Sequence, residues 1–391
     1  MRAHWALDPA ITYLNHGTVG CPPRRVLEAQ QRLRDEIELQ PSHFLLRQLV
    51  GRLGERTNAA PRLRAAIAPI AAFLGARPDD LVFVDNATTG VNAVLRSFPF
   101  APGDEILLSD HNYGAVRYAA EYVASERGAI VKTVELPWPL PDPAAITRAW
   151  EAALGPRTRL ALVDHVTSSS ALVFPLAAIA AACRARGVAV LVDGAHAPGA
   201  IPLDLESLGV DWYTGNLHKW MWSPRPCAVL WVRPDRQAAT RPTIISWGYQ
   251  QGFVNEFEWS GTKDPTPYLG APVGLAMMQE FGVEAVRAYN HGLAWGAAQH
   301  LAQRWSVPIE VAEATCGTMV TIALPERLGN TMDDAQRLRD ALLFEDHIEV
   351  QLHAWRDRLR VRVSAQIYND LDDIEHLAAA VEARAGSAAR A

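Results

Sequence analysis

The chain has 391 residues, 49% hydrophobic and 20% charged, with a formal net charge of −6. That composition excludes a disordered or fibrous chain, and the mild acidity argues against a nucleic-acid or membrane-surface binder. The length leads us to expect roughly two domains.

From the N-terminus, "MRAHWALDPAITYLNHG" lacks the continuous apolar stretch of a signal peptide, and no later run is long and clean enough to cross a bilayer. A cytoplasmic location is expected. The four cysteines, Cys21, Cys183, Cys227 and Cys316, form no CxxC pair, so neither a structural zinc site nor a disulfide framework is expected. From residue 80 onward, short apolar runs alternate with stretches of helical spacing. "DLVFVDN" leads into "ATTGVNAVLRSF", and "DEILLSD" into "AVRYAAEYVASERG". "AIVKTVEL" follows, then "TRLALVDHV" with "PLAAIAAACRARG", then "VAVLVDGAHAPG", "DWYTGN" and "CAVLWVR". Continuous apolar strands separated by helices predict an α/β fold with a mostly parallel, seven-stranded sheet wrapped by helices. Beyond residue 271 the pattern changes to a long helical stretch with a glycine break, strand-like "TMVTIALP", helical "MDDAQRLRDALLFEDH" and strand-like "LRVRVSAQIYN". The expected layout is an N-terminal arm (1–60) beside the small domain, a large domain (61–271) and a small α+β domain (272–391). The last residues, "ARAGSAARA", read as a frayed tail.

Ligands of open α/β sheets bind beyond the carboxyl ends of the strands, and three such ends carry chemistry. In "DNATTGVN", the backbone N–H groups of Thr88, Thr89 and Gly90 with the two hydroxyls form an anion site at a helix start; a plain helix cap explains the same residues. In "LVDGAH", Asp193 ends a strand and needs a cationic partner if buried, or it caps the next turn; His196 follows. In "GNLHKWMW", Lys219 lies among Trp220, Met221 and Trp222. Desolvation there lowers the lysine pKa and makes the amine nucleophilic; the alternative is a surface lysine lying over an apolar patch. Together a phosphate cradle, a buried acid and an activated lysine are the equipment for pyridoxal 5'-phosphate, with the lysine forming the Schiff base and the aspartate keeping the ring nitrogen protonated.

These residues, with "YLNHGTVGCPP", "LLSDHNYGAV", "DHVTSSSALVFPL", "EWSGTKDPTPYL" and "VRVSAQIYND", resemble the class V aminotransferase superfamily of fold-type I pyridoxal-phosphate enzymes, and within it the isopenicillin N epimerase-like branch. That branch is similar in turn to ergothioneine-pathway C–S lyases and cysteine desulfurases. The resemblance implies that Lys219 carries the cofactor and moves the Cα proton, Asp193 pairs with the pyridinium, and His196 bonds near the phenolic oxygen. It implies phosphate contacts from Thr88, Thr89 and His218, and a ring stacked on the cofactor from Tyr113. Thr262 matches a segment that reaches the phosphate from the neighbouring subunit, so a homodimer with shared sites is implied. Arg362 matches the clamp on the substrate carboxylate. Asn15, His16 and Gly17 should line the substrate mouth, with Arg47 either there or on a helix surface.

The resemblance implies an amino-acid substrate and a first step of Cα proton removal. Epimerisation is the leading expectation, with His16 or Tyr113 as the second acid; C–S lyase and aminotransferase chemistry are the alternatives. A persulfide-type desulfurase is disfavoured because the sequence has no cysteine beyond Cys316, which reads as a small buried hydrophobe. A metal-dependent hydrolase using Asp193, His196, His218 and His165 is the reading from a different class, and it leaves Lys219 without a role.

Overall fold

The structure is a computed structural model that describes residues 1–50, 60–140 and 142–388. Seven strands form the central sheet: β1 (Leu81–Val84), β2 (Glu105–Ser109), β3 (Ile130–Val134), β4 (Thr158–Asp164), β5 (Ala189–Asp193), β6 (Trp212–Asn216) and β7 (Ala228–Val232). Their order is β1-β7-β6-β5-β4-β2-β3. β7 runs antiparallel to both neighbours, and the other pairings are parallel. The expected strands are therefore present, and the reason is visible in their composition. Every residue of β1, β2, β5, β6 and β7 is buried, because helices cover both faces.

A second, antiparallel sheet holds β8 (Met319–Ala323), β9 (Gln351–Trp355) and β10 (Arg358–Ser364) in the order β9-β10-β8. It has its own apolar core with Leu14, Leu301, Leu342 and Val361. The glycine break falls at Gly282 (φ +83°), between helices Thr266–Phe281 and Val283–Trp305. The first of these helices contributes Tyr268, Ala271 and Leu275 to the large core. The N-terminal segment touches both bodies. Thr12–Tyr13 pairs in parallel with Ile348–Glu349, while Trp5 packs with Trp222, Met277 and Tyr368.

The expected frayed tail is a correction. Residues 383–388 complete the helix Leu371–Ala388, and residues 389–391 lie outside the described residues. Ile374, Leu377, Ala378, Val381 and Ala385 recur at helical spacing and are buried, and Arg384 Nε bonds Asp346 Oδ2 at 2.5 Å.

Candidate active site

The carboxyl ends of the parallel strands converge on a cavity of about 480 Å³. Lys219 reaches it from the short helix Leu217–Trp220 after β6, Asp193 from the end of β5, and Thr88 from the helix Ala87–Ser97 after β1. His196, His218, Tyr113 and Arg362 also line it. Segments far apart in sequence thus meet here because the sheet order brings their strand ends together.

Lys219 opens onto the cavity, but its amine is surrounded by protein. Burial, with Arg362 nearby, lowers its pKa to about 7, against a smaller opposing pull from Asp193. Nζ lies 3.0 Å from His196 Nε2. Burial first, and the charges of Lys219 and Arg362 second, hold His196 well below its usual range, so it is neutral. Its Nδ1 is buried with no partner among the described residues. Asp193 is buried; Oδ1 accepts the Ala195 N–H at 3.0 Å, and desolvation pushes the carboxyl up. His218 Nδ1 lies 2.7 Å from the Cys227 carbonyl, which fixes the proton on Nδ1 over the longer 3.2 Å approach of the Cys227 N–H. Burial lowers its pKa to about 4, so it too is neutral.

The anion cradle is narrower than expected. The Asn86 side chain accepts the Thr89 N–H at 2.9 Å and the Thr89 hydroxyl at 3.2 Å, and the Asn86 carbonyl accepts the Gly90 N–H. The Ala87 N–H goes to Asn216 Oδ1 at 2.8 Å. Thr88 alone of the three expected residues lines the cavity. Gly90 instead lets the helix approach β6, since a Cβ there would lie 2.2 Å from Thr214 Oγ1.

Arg362, on β10, crosses from the small body to the cavity. Nη1 donates to the Ser168 carbonyl at 2.8 Å and Nη2 to Thr18 Oγ1 at 2.7 Å, with a longer contact to Asn15 Oδ1. All these partners are neutral, and its Nε is buried without one among the described residues. Burial lowers its pKa to about 10, which still leaves a cation at neutral pH. A buried cation held only by neutral groups is suited to receive an anion.

Three expected mouth residues lie elsewhere. His16 is fully buried beneath the lysine: Nε2 bonds the Lys219 carbonyl at 2.8 Å and Nδ1 the Tyr368 hydroxyl at 2.8 Å. Gly17 is enclosed by Met319, Ser364 and Trp220. Asn15 is buried behind Arg362, with Nδ2 on Glu349 Oε1 at 2.7 Å. Arg47 is half-buried outside the cavity lining, and Thr262 is exposed. Trp220 and Trp222 are buried under the site; Trp222 meets Trp5 edge-on at 5.4 Å. Cys316 lies outside the cavity lining, and burial raises its thiol to about 12. The alternative metal set is not assembled. His165 Nδ1 bonds the Tyr213 hydroxyl at 2.9 Å, His218 is turned to Cys227, and among the described residues no three His, Cys, Asp or Glu side chains are placed to hold an ion. Thr18, Asn86, Asp164, Ser168, Asn216 and Gln351 line the cavity without having been expected.

The residues fit pyridoxal phosphate. A buried amine, a carboxylate and a positively polarised helix start with an open Thr88 surround one cavity, and the unpartnered His196 Nδ1 lies among them. Comparisons with known proteins agree. The family profile of aminotransferase class-V matches residues 45–377. An isopenicillin N epimerase from Amycolatopsis lactamdurans is 35% identical, with 97% of each chain covered. A putative L-cysteine desulfhydrase from Oryza sativa subsp. japonica is 32% identical over 96% of this chain and 83% of the relative. The solved structure of a C-DES mutant with glycine covalently linked to its PLP cofactor superposes with a TM-score of 0.82 at 24% identity, covering 97% of this chain and 98% of that one.

Proposed function

The chain belongs to the aminotransferase class-V family of pyridoxal-phosphate enzymes, and from that premise we propose that it takes the Cα proton of an amino acid with Lys219 and expels a sulfur leaving group from Cβ. The observation that carries this reading is the Lys219 amine, buried with a pKa of about 7 and 3.0 Å from the neutral His196. Such an amine is half deprotonated near neutrality and serves as both base and acid. When bound, the cofactor supplies a protonated ring that withdraws the electron pair left at Cα. Asp193 would hold the proton on that ring, and Thr88 with the helix start would hold the phosphate. Arg362 would take the substrate carboxylate on its fork and fix Cα relative to Lys219. After Lys219 takes the proton, the pair left at Cα forms a Cα=Cβ double bond as the Cβ–S bond breaks, the electrons of that bond leave with sulfur, and the lysine ammonium returns a proton to the thiolate. The freed unsaturated amine adds water to give a 2-keto acid and ammonia. The desulfhydrase relative supports this branch.

Epimerisation is the second reading. The epimerase relative supports it, as does Tyr113, whose hydroxyl lies close enough to Arg362 to act on its charge. His16, the other candidate for the second acid, is bound on both nitrogens behind Lys219, which moves one-base chemistry ahead. In either branch we assign exposed Thr262 to the phosphate of a neighbouring subunit in a homodimer. The test is a panel of L-amino acids and cysteine S-conjugates in deuterated water, read by mass spectrometry and chiral chromatography. Keto acid, ammonia and a released thiol are expected. Deuterated D-isomer without elimination would overturn the lyase reading in favour of epimerisation.

A further inference from the structure

Asp164 ends β4 in register with Asp193 on β5 and lines the same cavity. It is buried, and nothing in the proposed reaction uses it. Its Oδ2 accepts the Asn112 side-chain N–H at 2.9 Å, and the backbone N–H of Tyr113 lies close enough to the carboxyl to favour its charge. Both donors belong to the turn between β2 and the helix Gly114–Arg127, and Tyr113 is the residue that caps that helix. The Tyr113 ring lines the cavity, is 48% exposed and has no hydrogen-bond partner of its own among the described residues. Its place therefore depends on how its backbone is held. On one side the Asn112 N–H bonds the Ser109 carbonyl at 3.2 Å, and on the cavity side Asp164 provides the fastening.

We propose that Asp164 is a positioning residue that fastens the Asn112–Tyr113 turn to the sheet edge beside Asp193, and thereby sets the Tyr113 ring over the cofactor. A carboxyl buried beside another is costly to ionise. Burial and the Asp193 charge both push Asp164 well above the usual range, which favours the neutral acid. An asparagine has the shape of that neutral acid and keeps an acceptor oxygen for both donors. The role rests on the cofactor and is the same for either branch of the reaction, so the outcome of the substrate panel does not decide it.

The experiment measures pyridoxal phosphate bound to apoenzyme by quenching of tryptophan fluorescence, and the visible circular dichroism of the bound cofactor. Asp164→Ala is expected to weaken binding about tenfold and change the dichroism, with Asp164→Asn restoring both. Asp164→Ala combined with Tyr113→Ala is expected to lose no more than Tyr113→Ala alone. Losses that add in the double variant would overturn the proposal, as would Asp164→Asn failing as badly as Asp164→Ala. Should Asp164→Ala not fold, Asn112→Ala removes one fastening from the turn side. It is expected to shift the dichroism in the same direction, and an unchanged signal there would also overturn the proposal.

Discussion

Lys219 shows how one side chain's surroundings become a measurable property. Its pKa is lowered chiefly by burial, to about 7 from an ordinary 10.5. At pH 7 about half of the apoenzyme carries the free amine, against roughly one part in three thousand for an unperturbed lysine. The amine is the nucleophile, so covalent attachment of pyridoxal phosphate is expected to accelerate as pH rises through about 7 and to flatten above it. Stopped-flow measurement of the growing yellow band tests this, and a rate that keeps climbing beyond pH ~9 would contradict the shift. The neighbouring histidines do not confuse the profile, because His196 and His218 are already neutral across that range. The linkage has the same sign: the unfolded chain holds its lysine proton up to about 10.5, so this group lets the apoenzyme gain stability as pH rises from about 7 towards that value. Asp164 shows what reading the sequence residue by residue misses. "LVDH" repeats the pattern of "LVDG", an aspartate ending an apolar strand, and the pairing Asp164 with Asp193 gives the two equal standing at the sheet edge. The repetition was the signal. Nothing local, however, tells which strands are neighbours.

At the scale of elements, the short helix Leu217–Trp220 that carries the lysine is held from below by the turn at Gly20. Gly20 has φ +70°, and a Cβ there would lie 1.8 Å from the His218 carbonyl oxygen and 2.9 Å from Lys219 Cα. Gly187 has a similar φ of +68° with open space around it. The two positions differ in strain as well as in contact, because at ψ 168° Gly20 occupies a backbone region that is essentially glycine's alone. Gly187→Ala is expected to lose about 1 kcal/mol from backbone strain alone. Gly20→Ala adds a clash with backbone that has no side chain to yield, so about 3 kcal/mol and weaker cofactor binding are expected. Urea titration of both variants checks this, and equal losses would show that the Gly20 contact relaxes freely. The same contrast explains what was legible beforehand. β1, β2, β4, β5 and β7 are readable because each is a short, largely apolar run, whereas β3 is a mostly half-buried edge strand carrying Lys132 and Thr133, and β6 ends in Thr214, Gly215 and Asn216. The Thr12–Tyr13 ladder is two residues long and has no pattern to read. β9 is mostly half-buried, with polar Gln351 and His353, and only its pairing with β10 makes it a strand. The mouth residues lie elsewhere for a related reason: "YLNHG" is short and polar, which suits a cavity lining, yet His16 finds its partners Tyr368, Lys219 and Gln366 in the interior.

At the scale of the molecule, the site is assembled from separate bodies. Arg362 belongs to the small sheet but bonds Ser168 after β4 and Thr18 in the N-terminal segment, so its fork is fixed only when all three are docked. A further contribution is expected from outside the chain. Ile244, Ile245, Trp247 and Tyr249 are each more than half exposed within six residues, and exposed Thr262 follows on the same stretch. Four large apolar side chains left in water so close together are suited to an interface. Lys263, beside Thr262, bonds Asp85 at 3.0 Å, immediately before the Asn86 cap of the helix Ala87–Ser97, so this stretch is tied to the end of the cavity where the phosphate is expected. A second copy covering the patch would bury Trp247, 75% exposed in the single chain, and place a partner's loop beside that helix. The expected solution state is a dimer. Trp247→Glu puts a charge where an apolar contact is needed and should yield monomers that bind pyridoxal phosphate about tenfold more weakly while keeping their fold. Light scattering with cofactor titration decides it. A wild-type monomer with full affinity would remove the second chain from the site, and a monomeric variant with unchanged affinity would leave the interface but take Thr262 away from the phosphate.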